Sequence, residues 1–114
     1  MEYKAKQGDI VWLTLDPQAG HEQRGRRPAL VISNNIFNVF TKTGAMICPI
    51  TSTGKNNPIR PRLVGSTKTS GVIMCDQAKI LDLEIRNAEY IERVPEDILS
   101  EVVDIVQEIV KIEQ

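Results

Sequence analysis

Between Gly8 and Val94 the apolar residues of this chain come only in short runs, each cut within a few positions by proline, glycine, asparagine or a charged residue. That spacing leaves no room for a long helix and asks for short strands joined by turns. GDIVWLTLD (8–16) is apolar with little alternation, the pattern of a strand covered on both faces. Asp16-Pro17 closes it, because a residue before proline is pushed out of the helical region. Pro28 begins a second strand, ALVIS, which ends in the turn cluster Ser33-Asn34-Asn35. IFNVF (36–40) reads as a short helical turn, Thr43-Gly44 as a turn, and AMICPITS as a third strand. Pro49 lacks an N–H and places that third strand at an edge or a bulge. Segment 52–60 reads as a mobile loop with Ile59 as its one apolar anchor, and 65–71 as a second loop. IRPRLV, with Pro61 again favouring an edge, VIMC, AKILDL and AEYIERV complete the strands.

After Pro95 the period changes. Ile98, Leu99, Val102, Val103, Val106, Ile109 and Val110 recur at steps of three and four, the stripe of an amphipathic helix that serves as core or subunit interface. Pro95, Glu96 and Asp97 suit its first turn. The expectation is one domain over 1–114, mainly β: a small barrel over roughly 8–94 closed by a helix over roughly 95–113.

No apolar run approaches the about 18 residues of a membrane span. MEYKAKQGD lacks the apolar centre of a secretory signal, so the expected location is the cytoplasm, with no membrane partner. Cys48 and Cys75 each lie inside an apolar run and read as reduced core residues. The net charge is only −1, yet it is unevenly spread. Between Glu22 and Asp76 there is no acid, while Arg24, Arg26, Arg27, Lys42, Lys55, Arg60, Arg62 and Lys68 supply eight positive charges. From Asp76 onward eleven acids face four bases. A basic middle of this kind attracts polyanions although the whole is slightly acidic; its bland alternative is a solvated face with no partner.

The loop GHEQRGRRP (20–28) concentrates a histidine, a carboxylate, an amide and three arginines between apolar strands, where core is impossible and a site is expected. With one histidine, His21, no site of two imidazoles can form, and the cysteines are not spaced as ligands. The phosphate loop GxxxxGK and the serine elbow GxSxG are missing. No metal and no cofactor are therefore expected. The remaining arginine, threonine, serine and amide groups suit cleavage of RNA by its own 2′-hydroxyl. That reaction needs a base at O2′, positive charge on the phosphorane oxygens and a proton for the leaving O5′. Arginine is a poor proton donor, since its pKa exceeds about 12; His21 and Glu22 are both candidates for moving the proton.

GDIVWLTLDPQAGHEQRGRRPALVIS resembles the N-terminal signature of the MazF/PemK family of toxin endoribonucleases, and CPITS and VIMCDQAKILD match its later strands in order and spacing. The resemblance covers nearly the whole chain. It implies a small Src-homology-3-like barrel of the CcdB/PemK/MazF type that works as a homodimer. It also implies sequence-specific, metal-independent and ribosome-independent cleavage of single-stranded RNA, mostly mRNA, leaving 2′,3′-cyclic phosphate and 5′-hydroxyl ends. The partner it implies is a small MazE-like antitoxin lying in the RNA groove, with DNA contacted only through that complex. By the motif, Arg27 before the proline and Thr51 at the end of CPIT are catalytic, joined by Glu22. His21, where the family often has serine, Gln23, Arg24, Arg26, Ser52, Lys55, Arg60, Arg62, Lys68 and Gln77 are expected to contact RNA, the outlying cations through phosphates. The alternatives are plain. Arg27 could pair with an acid such as Asp76, Thr51 could cap a turn, and Gln77 could satisfy backbone groups. At the level of function, a gyrase poison of the CcdB kind and an inactive RNA-binding module share the same architecture.

Overall fold

The computed structural model describes residues 3–15, 26–55 and 57–114. Its elements in chain order are β1 (Asp9–Thr14), β2 (Arg26–Val31), α1 (Asn35–Thr41), β3 (Gly44–Thr51), β4 (Arg62–Leu63), β5 (Gly71–Ile73), a 3₁₀ turn (Cys75–Gln77), β6 (Lys79–Asp82), β7 (Glu89–Arg93) and α2 (Glu96–Ile109). The strands run in the order β4-β5-β3-β2-β1-β7, and β6 lies against the first half of β3. Every pairing is antiparallel. The mainly-β, helix-closed fold read from the sequence is what forms: a curled half-barrel.

Successive side chains alternate between the two faces of a strand, so a run without alternation must be covered twice. On one face Ile10, Leu30, Ile32, Cys48, Ile50 and Ile73 meet Ile98, Leu99 and Val102 of α2. On the other, Val11, Leu13, Ala29, Val31, Ala45 and Ile47 pack with Leu83 under Tyr3, Ala5, Leu15, Leu81 and Ala88. Both cysteines are buried and unbridged, as expected. The neighbouring Cys75 thiol and, after it, burial push the Cys48 thiol well above its usual range. Asn34 caps α1 by accepting the N–H of Phe37 at 2.9 Å, the reason a helix starts directly after the turn cluster.

Four expectations change. β2 starts at Arg26 rather than Pro28, so Arg26 and Arg27 are strand residues with fixed, opposite facings and not part of a loop. β3 is central, paired with β2 on one side and with β6 and then β5 on the other. Pro49 is tolerated there because its carbonyl, and with it its bare nitrogen, faces the gap between β6 and β5. The carbonyl accepts Met74 N–H at 2.8 Å, and the missing donor breaks no ladder. The described residues of segment 52–60 are tied down, not by half-exposed Ile59 but by an Asn57–Arg60 bridge, Arg60 on Asp76 and Arg62 on the Gly54 carbonyl at 3.0 Å. Finally, α2 ends at Ile109, and the apolar stripe stops burying before it: Ile109 is 52% and Val110 73% exposed.

Candidate functional site

Register brings the two residues singled out for catalysis together. Ala29 pairs with Pro49 across β2 and β3. Extended two residues beyond its last pair, that register sets Arg27 opposite Thr51. Ala29, Val31, Ala45 and Ile47 share one face of the sheet, so by alternation Arg27 and Thr51 project from that same face. Both sit where β2 begins and β3 ends, at the sheet end from which the 64–70 connection also departs, because Leu63 pairs with Gly71 next to Thr51.

Neighbouring arginines are put to different uses. Arg26 lies on the opposite face, where its guanidinium donates to Thr14 Oγ1 at 3.3 Å, to the Asn87 carbonyl and to Glu89 Oε1 at 3.0 Å. That binds β2 to the turn before β7. Arg27 is exposed and, among the described residues, has no ion-pair or hydrogen-bond partner for its side chain. A guanidinium left in this state is a planar, permanently charged donor set for an incoming anion.

Thr51 is half-buried. Its Oγ1 accepts the N–H of Thr53 at 3.3 Å and lies 3.2 Å from Thr53 Oγ1. It thus caps a turn, as the plain alternative held, and shares a hydroxyl–hydroxyl contact in which either oxygen can donate. The turn is compact: a side chain at Gly54 would press on Val72 Cγ2 at 2.9 Å and Thr51 Cγ2 at 3.1 Å. Gly71, with φ +125°, carries β5 directly against the Thr51 carbonyl, where a Cβ would collide.

The other cations divide in the same way. Arg60 grips Asp76 bidentately, Nε to Oδ1 at 2.8 Å and Nη2 to Oδ2 at 2.7 Å. The acid considered as a partner for Arg27 is therefore taken. This grip holds the Asp76 carboxyl below the usual carboxylate range and raises Arg60. Gln77 also helps to hold that carboxyl low, and Arg62 is committed to Gly54. Ser52, Lys55 and Lys68 are exposed beside Thr51 or on the connections leaving this end. Glu22, His21, Gln23 and Arg24 lie outside the described residues, so the proton-moving candidates are not placed. No three His, Cys, Asp or Glu side chains gather for a metal among the described residues.

Sequence reasoning missed Thr53, Arg86 and Glu92. Arg86 donates to the carbonyls of Thr14 at 3.2 Å and Leu15 at 2.8 Å, pinning the end of β1. Glu92 accepts three hydrogen bonds from Lys68 and Thr69. Nothing local marks Arg86 or Glu92, since their partners lie 23 or more positions away, whereas Thr53 sits two residues from Thr51 and was legible as its turn partner.

A family described as PemK-like, MazF-like toxin of type II toxin–antitoxin system matches residues 6–110. The chain is 39% identical over 101 residues to the Endoribonuclease PemK of Escherichia coli, covering 85% of this chain and 75% of that protein. It superposes on the crystal structure of MazF from Deinococcus radiodurans with a TM-score of 0.84 at 39% identity, over 97% of this chain and all (100%) of that one. A MazE-MazF structure from the same organism gives a TM-score of 0.82 at 32% identity, over 98% of this chain and 100% of the other. Matched over residues 6–110 by that family, 39% identical to one relative and sharing the architecture of MazF, the chain belongs to the PemK-like, MazF-like toxins of type II toxin–antitoxin systems.

Proposed function

We propose that this chain is an endoribonuclease that cuts single-stranded RNA, mRNA above all, at short sequence motifs, using the RNA's own 2′-hydroxyl and no metal or ribosome. The observation that carries this reading is the level, same-face placement of Arg27 and Thr51 at one end of the sheet, with Arg27 unspent among the described residues. A base takes the proton from O2′; His21 and Glu22 are the candidates. O2′ then attacks phosphorus, and the P–O5′ bond breaks. Arg27 faces the charge growing on the non-bridging oxygens, and the Thr51 hydroxyl donates to one of them. The departing O5′ takes a proton, leaving a 2′,3′-cyclic phosphate and a 5′-hydroxyl. Lys55 and Lys68 hold flanking phosphates and contribute affinity rather than base choice.

The same reading makes the chain the toxin half of a pair, acting as a homodimer on cytoplasmic mRNA and so halting translation and growth. A small MazE-like antitoxin would lie in the RNA groove, with DNA met only through that complex. The matched family's description as a toxin of type II toxin–antitoxin systems and the MazE-MazF structure support the toxin and antitoxin parts of this reading. The homodimer is supported by apolar surface left open on α1, where Ile36, Val39 and Phe40 are each more than three-quarters exposed. The test is Arg27→Ala assayed on an end-labelled single-stranded RNA. Cleavage should fall by about 10²-fold or more, the scale of losing a charge-stabilising donor, with circular dichroism unchanged. Cleavage at the wild-type rate would overturn the reading.

A further inference from the structure

The sheet path has two free ends, β4 and β7. What joins them is a side chain. Glu92 on β7 reaches the connection between β4 and β5, where Oε1 accepts Lys68 N–H at 3.0 Å and Oε2 accepts both Thr69 N–H and Thr69 Oγ1–H at 2.7 Å. Thr67 Oγ1 donates to the Thr69 carbonyl at 2.7 Å and closes the turn from inside. Two residues on, Gly71 lies against the Thr51 carbonyl. A chain of direct contacts therefore runs from Glu92 through Thr69 and Gly71 to Thr51, and the exposed Lys68 stands on it.

We infer that Glu92 is a positioning residue: it sets the 64–70 connection, and with it Lys68, against the strand end that carries Thr51, and so governs which RNA strand the site accepts. This rests on the nuclease reading above. An acid near a phosphate path would normally repel substrate. Here the carboxylate is consumed by three donors and faces the Lys68 charge, so it organises the loop without presenting its charge to the RNA. Removing it should free the loop while leaving Arg27 and Thr51 in place, which affects binding more than chemistry.

The experiment compares the full-length wild type with Glu92→Ala, Glu92→Gln and Lys68→Ala. Amide hydrogen exchange at Lys68 and Thr69 should speed up about tenfold or more in Glu92→Ala, less in Glu92→Gln, and not in Lys68→Ala, while Val31 and Ile47 stay protected in all. On single-stranded RNA, KM should rise about fivefold or more in Glu92→Ala with kcat within about twofold, and the set of cut sites should broaden. Lys68→Ala should share the KM rise. Unchanged exchange at Lys68 and Thr69 would overturn the clasp. Faster exchange with KM and cut sites as in the wild type would overturn its role toward substrate. A wild type that leaves RNA intact would sink the nuclease reading, and with it that role, while the exchange arm would still report on the clasp.

Discussion

Thr51 does two things with one oxygen. As acceptor it holds the N–H of Thr53 and fixes the turn after β3; as donor its hydroxyl can turn from Thr53 Oγ1 to an incoming anion. Serine keeps both uses and valine neither. Thr51→Ser should therefore retain cleavage within about threefold, while Thr51→Val should lose about tenfold or more, toward the 10²-fold scale of a lost donor. Equal rates for the two would remove the hydroxyl from the chemistry. Arg27 and Thr51 were legible in the sequence because each sits in a short motif whose order and spacing are local. The division of labour between Arg26 and Arg27 follows from strand alternation once β2 is seen to begin at Arg26. The commitments of Arg60 to Asp76 and of Glu92 to Thr69 were not legible. They join residues 16 and 23 positions apart that meet only after the sheet has curled.

For the strands and helices, the breakers in the sequence placed almost every element, because a short apolar run between glycine, proline and asparagine has few other ways to bury itself. What they did not place was centrality. Pro49 looked like an edge marker, yet its missing donor happens to face the gap where β3 passes from β6 to β5. The helical period likewise predicted α2 but not where its cover ends. Leu99→Ala, at 6% exposure, should cost about 2–5 kcal/mol in denaturant unfolding. Ile109→Ala, at 52%, should stay within about 0.5 kcal/mol. A comparable loss at both positions would contradict this boundary. The loops also carry a pH dependence. Asp76 is held low by Arg60. Burial pushes the Glu92 carboxyl up, but the donors from Lys68 and Thr69 outweigh it and bring it down. Carboxyls lowered in the fold bind fewer protons there than in the unfolded chain. They stabilise above the ordinary carboxylate pKa of about 4, and that contribution is lost as pH falls through their lowered values. Acid titration of unfolding should thus be less steep for Asp76→Asn combined with Glu92→Gln than for the wild type. An unchanged slope would show that these ties do not respond to pH.

Taken whole, the molecule is polarised: eight cations without an acid between Glu22 and Asp76, then a strongly acidic remainder. The fold refines that polarity by spending Arg26, Arg60 and Arg62 on its own loops, leaving Arg27 and Lys55 exposed without side-chain partners among the described residues and Lys68 exposed beside Glu92. A count of charges alone suggested a broader phosphate-binding surface than the side-chain contacts leave. The central claim is that these cations and Thr51 assist an attack made by the RNA itself. It is tested most directly by cleavage of a single-stranded RNA beside the same strand carrying one 2′-deoxynucleotide on the 5′ side of a mapped cut. The all-ribose strand should be cut there to a 2′,3′-cyclic phosphate and a 5′-hydroxyl, and the substituted strand should survive at that position while being cut elsewhere. Efficient cutting at the deoxy position would contradict the account.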